Sequence, residues 1–369
     1  MGKNEFSEII SNFQIEGEII NVEAYGSGHI HETFRLKNKK SDLNDYLLQK
    51  INTKIFKSVS NLMSNIQLVT SHLRKKVSEI PGSDVDNEVL TLILTTTGQN
   101  YYAHDDGSCW RMYLFLKGTQ SYDLVENEKQ AYEGGTAYGR FQSLLADLDA
   151  SRLYEILPDF HNINYRLNLF QEAIDRDPFN RVKQVGREID IVRAKQEKMM
   201  TILKMGENGL IPLKTTHNDT KFNNVLLNQN NVAQCVIDLD TIMPGYVAYD
   251  FGDAIRTIVN TATEDEKDLV KIGVDMQLFE SFTKGFIREA NKDLCTAEIE
   301  SLAHGCLLLP FLIGLRFLTD HIDGDNYFRI HFPGHNRQRA RSQFRLAEKI
   351  EEQFPRLQSI IYQIYKSKN

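Results

Sequence analysis

His217, Asp219, Lys221 and Asn224 stand together in His217-Asn218-Asp219-Thr220-Lys221-Phe222-Asn223-Asn224, and Asp238 and Asp240 follow in Val236-Ile237-Asp238-Leu239-Asp240. An acid near a lysine and an asparagine, with a second acidic pair to follow, suits the transfer of a phosphoryl group. Asp219 would orient an attacking hydroxyl and take its proton, while Asn224 and Asp238 would offer oxygens to the Mg²⁺ that bridges nucleotide phosphates. Mg²⁺ keeps several waters and takes phosphate oxygens, so two protein ligands suffice. Lys221 can reach the γ-phosphate and offset charge that builds during transfer. The competing reading is a polar turn whose Asp and Asn bond only to nearby backbone.

The elements around these residues must bring the later acid back to the earlier one. Val225-Leu226-Leu227 and Val232 to Ile237 are apolar runs around an Asn-rich turn, which predicts a β-hairpin. Asp238 ends its second strand, beside the loop that carries Asp219, and Asp240 is its rival as metal ligand. Asp250-Phe251-Gly252 spells the protein-kinase metal motif, but it lies too far from Asp219 for a single hairpin. Asp250 is therefore expected to brace the loop rather than bind metal. His217-x-Asp219-(x)4-Asn224 with Ile237-Asp238 and Tyr249-Asp250 resembles the aminoglycoside-phosphotransferase and choline-kinase-like superfamily, small-molecule relatives of protein kinases. The wording His-Asn-Asp-Thr-Lys-x-x-Asn-Val and Val-Ile-Asp-Leu-Asp-Thr-x-Met-Pro-Gly is most similar to the N-acetylhexosamine 1-kinases. That similarity runs on through Gly26-Ser27-Gly28-His29-Ile30, Trp110-Arg111-Met112-Tyr113, Arg316-Phe317-Leu318-Thr319-Asp320 and His335-Asn336.

The N-terminal third fits such a scheme. Phe13 to Ala24 and Ile30 to Leu36 are predicted strands around a glycine turn, the device by which kinases lay backbone amides of Gly26 and Gly28 over phosphates. Strand, glycine turn, strand differs from the strand, glycine turn, helix of P-loop and Rossmann sites. Tyr46 to Ile51 is a third strand. Its Lys50 is the candidate for the α/β-phosphates, with Lys54 and Lys57 as rivals. Apolar residues at helical spacing from Val59 to Val77 predict a helix. This helix carries no Asp or Glu between Phe56 and Ser78, so the kinase lysine has no obvious acidic partner there. Val89 to Thr95 and Cys109 to Leu116 are strands around the Asp105-Asp106-Gly107-Ser108 turn. Phe115 and Leu116 then form the expected hinge against adenine.

From Val125 onward helices dominate, with amphipathic stretches at Glu126 to Leu148 and Gln184 to Met205. The expected class is α+β, a bilobal protein-kinase-like fold with a β-rich lobe at 1–117 and a helical lobe at 118–369. The hexosamine-kinase resemblance implies that Arg316, with His29 or His31, lines the acceptor pocket.

Composition narrows the rest. A 41% hydrophobic and 25% charged chain of 369 residues is globular, and a net charge of −7 argues against non-specific nucleic-acid binding. Cys109, Cys235, Cys295 and Cys306 show no paired spacing, which favours a reducing compartment. The longest apolar run, Cys306 to Leu315, is interrupted by Pro310 and falls short of the roughly 18–20 residues of a membrane span. The expectation is a cytoplasmic monomer or weak homodimer using ATP and Mg²⁺ to phosphorylate the anomeric hydroxyl of an N-acetylhexosamine. The same superfamily offers aminoglycoside, choline, homoserine or methylthio-sugar acceptors, and a nucleotide-binding pseudokinase scaffold is a reading of another class.

Overall fold

In the computed structural model, residues 3–26 and 30–367 are described. The first part is built on an antiparallel sheet. After helix α1 (Lys3–Ser11) come β1 (Ile19–Ala24), β2 (Glu32–Asn38), β3 (Tyr46–Ile51), α2 (Val59–Ser78), the one-turn α3 (Val85–Glu88), β4 (Leu92–Ile93), β5 (Tyr102–Ala103) and β6 (Cys109–Leu114). The strand order is β1-β2-β3-β6-β4, and β5 pairs with β6. Pleating gives this sheet two unlike faces. Leu36, Tyr46, Leu48, Trp110 and Met112 pack on α1 through Ile9, Ile10 and Phe13. The other face, carrying Gln49, Arg111 and Tyr113, looks toward α2 and the second part of the chain.

That second part is mostly helical. It contains β7 (Thr119–Gln120), α4 (Glu128–Leu144), α5 (Ile163–Arg176), α6 (Gly186–Met199), α7 (Thr201–Glu207), β8 (Lys214–Thr216), β9 (Val225–Asn228), β10 (Ala233–Val236), β11 (Met243–Gly245), α8 (Val247–Ile258), α9 (Met276–Ala290), α10 (Thr296–Ile322), α11 (His335–Glu352) and α12 (Phe354–Lys366). The α+β expectation, a small sheet followed by a larger helical body, is met. The third strand, the acid-free helix and the hairpin after Asn224 stand where periodicity placed them.

Several boundaries differ. The strand expected from Phe13 begins only at Ile19, because Gly17 at φ +85° turns the chain first, and Phe13 keeps one bridge to Thr95. The strand expected from Val89 shrinks to Leu92–Ile93, since Val89 and Leu90 are buried beside α2 instead. The long stretch from Gln184 divides into α6 and α7. Helix α5 was not singled out, although Asn162 caps it and Ile163, Leu167, Phe170 and Ile174 recur at helical spacing. Pro310 does not interrupt α10, because burial on nearly every side outweighs one lost backbone bond. By length and composition α10 alone among the described residues is apolar enough to cross a membrane, yet 78% of its apolar window is buried in the protein. It is the core helix of the second part.

Helices α4 and α9 touch backbone to backbone. A Cβ on Gly135 would sit 2.0 Å from the Phe282 carbonyl oxygen, and one on Gly285 would sit 2.1 Å from that of Tyr132. The same contact fixes α4, which carries Tyr138, Phe141 and Gln142 to the site described next. Gly135→Ala is therefore expected to lower stability by about 1–3 kcal/mol, as overpacking does. An unchanged melting temperature in a differential scanning measurement would show that the helices separate freely.

Candidate active site

The loop after β8 is held by a single carboxylate. Asp250, in the first turn of α8, accepts the His217 N–H at 2.8 Å and the Asn218 N–H at 2.7 Å. Gln142 Nε2 donates to the same carboxylate at 2.9 Å, and Thr220 Oγ1 donates to the Asp250 carbonyl. Burial pushes the Asp250 carboxyl up to about 6 against the pull of His217 and these two amides. Asp250 thus braces the loop, as its distance from Asp219 implied. Between the two amides the chain turns left-handed at Asn218, φ +64°, a conformation Asn tolerates. The Asn218 amide nitrogen bonds the carbonyls of Thr216 and Thr241, and buried His161 donates Nε2–H to the Asn218 carbonyl at 3.0 Å.

His217 is fully buried, with its ring edge-on to Tyr138 and Phe141. Its Nε2 donates to the Ile237 carbonyl at 2.8 Å, and its Nδ1 accepts the Asp219 N–H at 3.3 Å. The Ile237 N–H in turn donates to the Asn224 carbonyl at 2.9 Å. The two backbone groups of one residue therefore strap the end of the hairpin to both ends of the loop. This sets Asp238, left-handed at φ +61°, beside Asp219 and Asn224. Ile237 is an apolar strand residue by type, and nothing in the sequence marks its backbone for that task.

The four acids have unequal company. Lys221 Nζ lies 2.9 Å from Asp219 Oδ1. Burial raises the Asp219 carboxyl, but Lys221 outweighs it and the net position is below the usual range. Asp240 is gripped by both terminal nitrogens of Arg111, Nη2 at 2.8 Å, and by His31 Nε2 at 2.6 Å. Partial desolvation and the charges of Asp240 and Asp219 push the Asp238 carboxyl up to about 7 against the pull of Arg111 and His31, yet the residue is exposed, and no side-chain bond to it occurs among the described residues. Asn224 Nδ2 donates to the Asp219 carbonyl at 2.8 Å, which leaves its Oδ1 as the open acceptor. An accessible carboxylate with no side-chain bond, at the end of the hairpin that Ile237 ties to Asn224, fits a hard divalent cation together with the open Asn224 oxygen. No three His, Cys, Asp or Glu side chains form a closed cage among the described residues, as expected where phosphates complete the shell.

Other expected site residues lie as follows. Gly26 is left-handed at φ +81° with open space above it, whereas Gly28 and His29 fall outside the described residues. Phe115 donates its N–H to the Asp45 carbonyl at 2.9 Å, meets Tyr25 edge-on and lies under the Arg35 guanidinium, and the Leu116 carbonyl accepts Thr119 Oγ1. Arg316 lies over the rings of Phe160, Tyr327 and Phe328, without an acidic partner among the described residues.

Two expectations need correction. Lys50 pairs across the ladder with Trp110, its Nζ 5.6 Å from the indole, on the face covered by α1. The face toward Asp238 carries Gln49 and Arg111 instead, so the pleat turns Lys50 away from the site. His31 cannot serve an acceptor, because Nε2 is taken by Asp240 and Nδ1 by the Asn52 N–H at 3.0 Å. Asp240, the rival metal ligand, is likewise occupied.

Asp250→Asn tests the brace. An amide has one acceptor oxygen where the carboxylate has two, so one loop N–H is orphaned at a cost of about 1–3 kcal/mol. We expect a folded protein with lower thermal stability and turnover down about 10²-fold, the scale set by a misplaced catalytic group. Wild-type kinetics in that variant would remove Asp250 from the support of Asp219.

The family model described as the phosphotransferase enzyme family matches residues 22–274. Among solved structures, an aminoglycoside phosphotransferase from Alicyclobacillus acidocaldarius aligns over 97% of this chain and 96% of its own, with TM-score 0.66 and 11% identity. A choline kinase from Cryptosporidium parvum aligns over 96% and 97%, with TM-score 0.58 and 14% identity. The amicoumacin kinase hAmiN, solved with AMP-PNP and Ca²⁺, aligns over 95% and 94%, with TM-score 0.61 and 13% identity. At such identities the likeness is one of fold. The family match covers well over half of the chain and includes every residue of the braced loop and the acidic strap, and on that match this protein belongs to the phosphotransferase enzyme family.

Proposed function

We propose that this chain is a cytoplasmic kinase that uses ATP and Mg²⁺ to phosphorylate the anomeric hydroxyl of an N-acetylhexosamine, giving the sugar 1-phosphate. The observation that carries the phosphotransfer reading is the braced loop that presents Asp219 near the unbonded Asp238 and the free Asn224 oxygen. Asp219, held ionised by Lys221, accepts the hydroxyl proton as the sugar oxygen bonds to the γ-phosphorus and the bond to the β-phosphate oxygen breaks. Asn224 and Asp238 would hold Mg²⁺, which when bound supplies positive charge against the phosphate oxygens. Lys221, paired with Asp219, would steady the moving group with its charge. An anomeric hydroxyl is more acidic than an ordinary alcohol, so positioning can carry most of the acceleration.

The sugar reading rests on the wording of the two acidic segments and on the side chains available past the loop. Neighbours of the same fold are named for aminoglycoside, aminopropanol and choline as acceptors. Cationic acceptors need acidic or aromatic cages. Here Arg316 already occupies the aromatic cluster of Phe160, Tyr327 and Phe328, and Arg166 lies near enough for its charge to be felt. A neutral polyol with a planar amide suits that surface better than an ammonium.

A panel of acceptors with γ-labelled ATP tests the reading, with phosphorus NMR to locate the ester. We expect N-acetylglucosamine or N-acetylgalactosamine to give an anomeric phosphate, and chelation of divalent cations to abolish it. Turnover of choline with no free sugar accepted would overturn the assignment. In the same assay Asp219→Asn should lose about 10²–10⁴-fold in kcat, the range for a general base, with nucleotide affinity little changed. Near-normal kcat would show that Asp219 takes no proton.

A further inference from the structure

In protein kinases a lysine on the third strand pairs with a glutamate of the following helix, and that pair couples the sheet to the nucleotide. Here neither partner is in place. Helix α2 has no acid, and Lys50 faces α1. The buried cation of the sheet is Arg111 on β6, 2% exposed, and the acid it meets belongs to the second part of the chain. Both Nη atoms of Arg111 bond Asp240, while Nε donates to Gln49 Oε1 at 2.9 Å, so the guanidinium is fixed on all three sides. His31 closes the fourth approach. Its Nδ1 accepts the Asn52 N–H, and its Nε2 meets Asp240 Oδ2. Its ring also stacks on Phe56 at 5.4 Å.

We propose that Arg111, seconded by His31, is the positioning residue that sets the Asp238-Leu239-Asp240 segment for its divalent cation, in place of the lysine–glutamate pair. The inference rests on the kinase reading above and adds to it a task for two residues that do not touch substrate. The argument is geometric. Asp240 is two residues from Asp238 across one short turn, and a planar, bidentate grip fixes both the place and the tilt of a carboxylate as a point charge cannot. Neutralising Asp240 inside the protein has a second effect. It leaves Asp238 as the one acid of the pair free to take a metal, and so decides which of two near-identical carboxylates does so. His31 immediately precedes β2, so its bond ties the start of that strand to the same segment.

Arg111→Lys keeps the charge and loses the fork. Mn²⁺ bound in the protein–ADP complex, followed by electron paramagnetic resonance, gives a readout apart from turnover. We expect the Mn²⁺ dissociation constant and the Mg²⁺ concentration for half-maximal rate each to rise at least tenfold, with the KM for the acceptor within threefold of wild type. Arg140→Met, which breaks a different ion pair between the two parts (Arg140 with Glu88), should leave both metal readouts unchanged. If Arg111→Lys fails to fold, His31→Gln removes one of the three bonds to Asp240 and should raise the Mn²⁺ dissociation constant about threefold. Unchanged metal affinity in a folded Arg111→Lys, or in His31→Gln where the former does not fold, overturns the proposal. An equal rise in Arg140→Met does so too, since it would reduce Arg111 to a general fastening. If the wild type binds Mn²⁺·ADP but transfers phosphate to no acceptor, the kinase reading fails while the metal measurement still decides the role of Arg111.

Discussion

Two carboxylates one residue apart receive opposite treatment in this protein, and the site follows from the contrast. Asp240 is buried against a guanidinium and an imidazole, with three bonds to it. Asp238 is exposed, bonds to no side chain among the described residues, and feels the charges of Asp240 and Asp219, so its proton is held more tightly. A carboxylate left open at the end of a strapped hairpin, with an amide oxygen that has no bond to accept at the other end of the strap, is placed to meet a charge that is not part of the polypeptide.

The scaffold keeps that arrangement stiff by spreading it over distant parts of the chain. Asp250 comes from α8, Gln142 and Tyr138 from α4, and His161 from the segment before α5, and all converge on a loop without regular structure. Tyr138 donates its hydroxyl to the Lys221 carbonyl at 2.7 Å, so the lysine's own backbone is fixed as well. These side chains satisfy backbone groups that a loop leaves unpaired, the condition for burying irregular chain at all. The glycine contact between α4 and α9 then fixes where α4 can stand.

How far the sequence was readable depended on whether a feature was local. The catalytic octapeptide, the hairpin behind it and the bracing role of Asp250 could be read because spacing alone constrains them. Helix α2 and strand β3 were plain from periodicity. What failed was parity and partnership. Lys50 is the expected residue type on the expected strand, but a period of two makes neighbouring residues face opposite ways, and no local signal said which face meets the site. Arg111 belongs to the Trp110-Arg111-Met112-Tyr113 wording, but that wording names no partner for it, since its acid lies 129 positions away. The Ile237 strap is made by backbone atoms, which carry no residue signature. Pro310 interrupts the apolar run but not the helix, because α10 is packed on nearly every side.

Helix α2 also meets the second part of the chain through Asn65. Its amide nitrogen donates to the carbonyls of Tyr154 and Ile242, both at 2.8 Å, and its oxygen accepts the Tyr154 N–H at 2.9 Å. Swinging α2 outward would strip three bonds from a side chain only 1% exposed, at roughly 1 kcal/mol for each bond and more for any group left dry. The helix therefore travels with the larger body, as a keystone belongs to the arch below it. Any opening of this molecule has to slide the sheet over a stationary helix, and control by helix displacement, familiar where that helix is loosely docked, meets a mechanical stop.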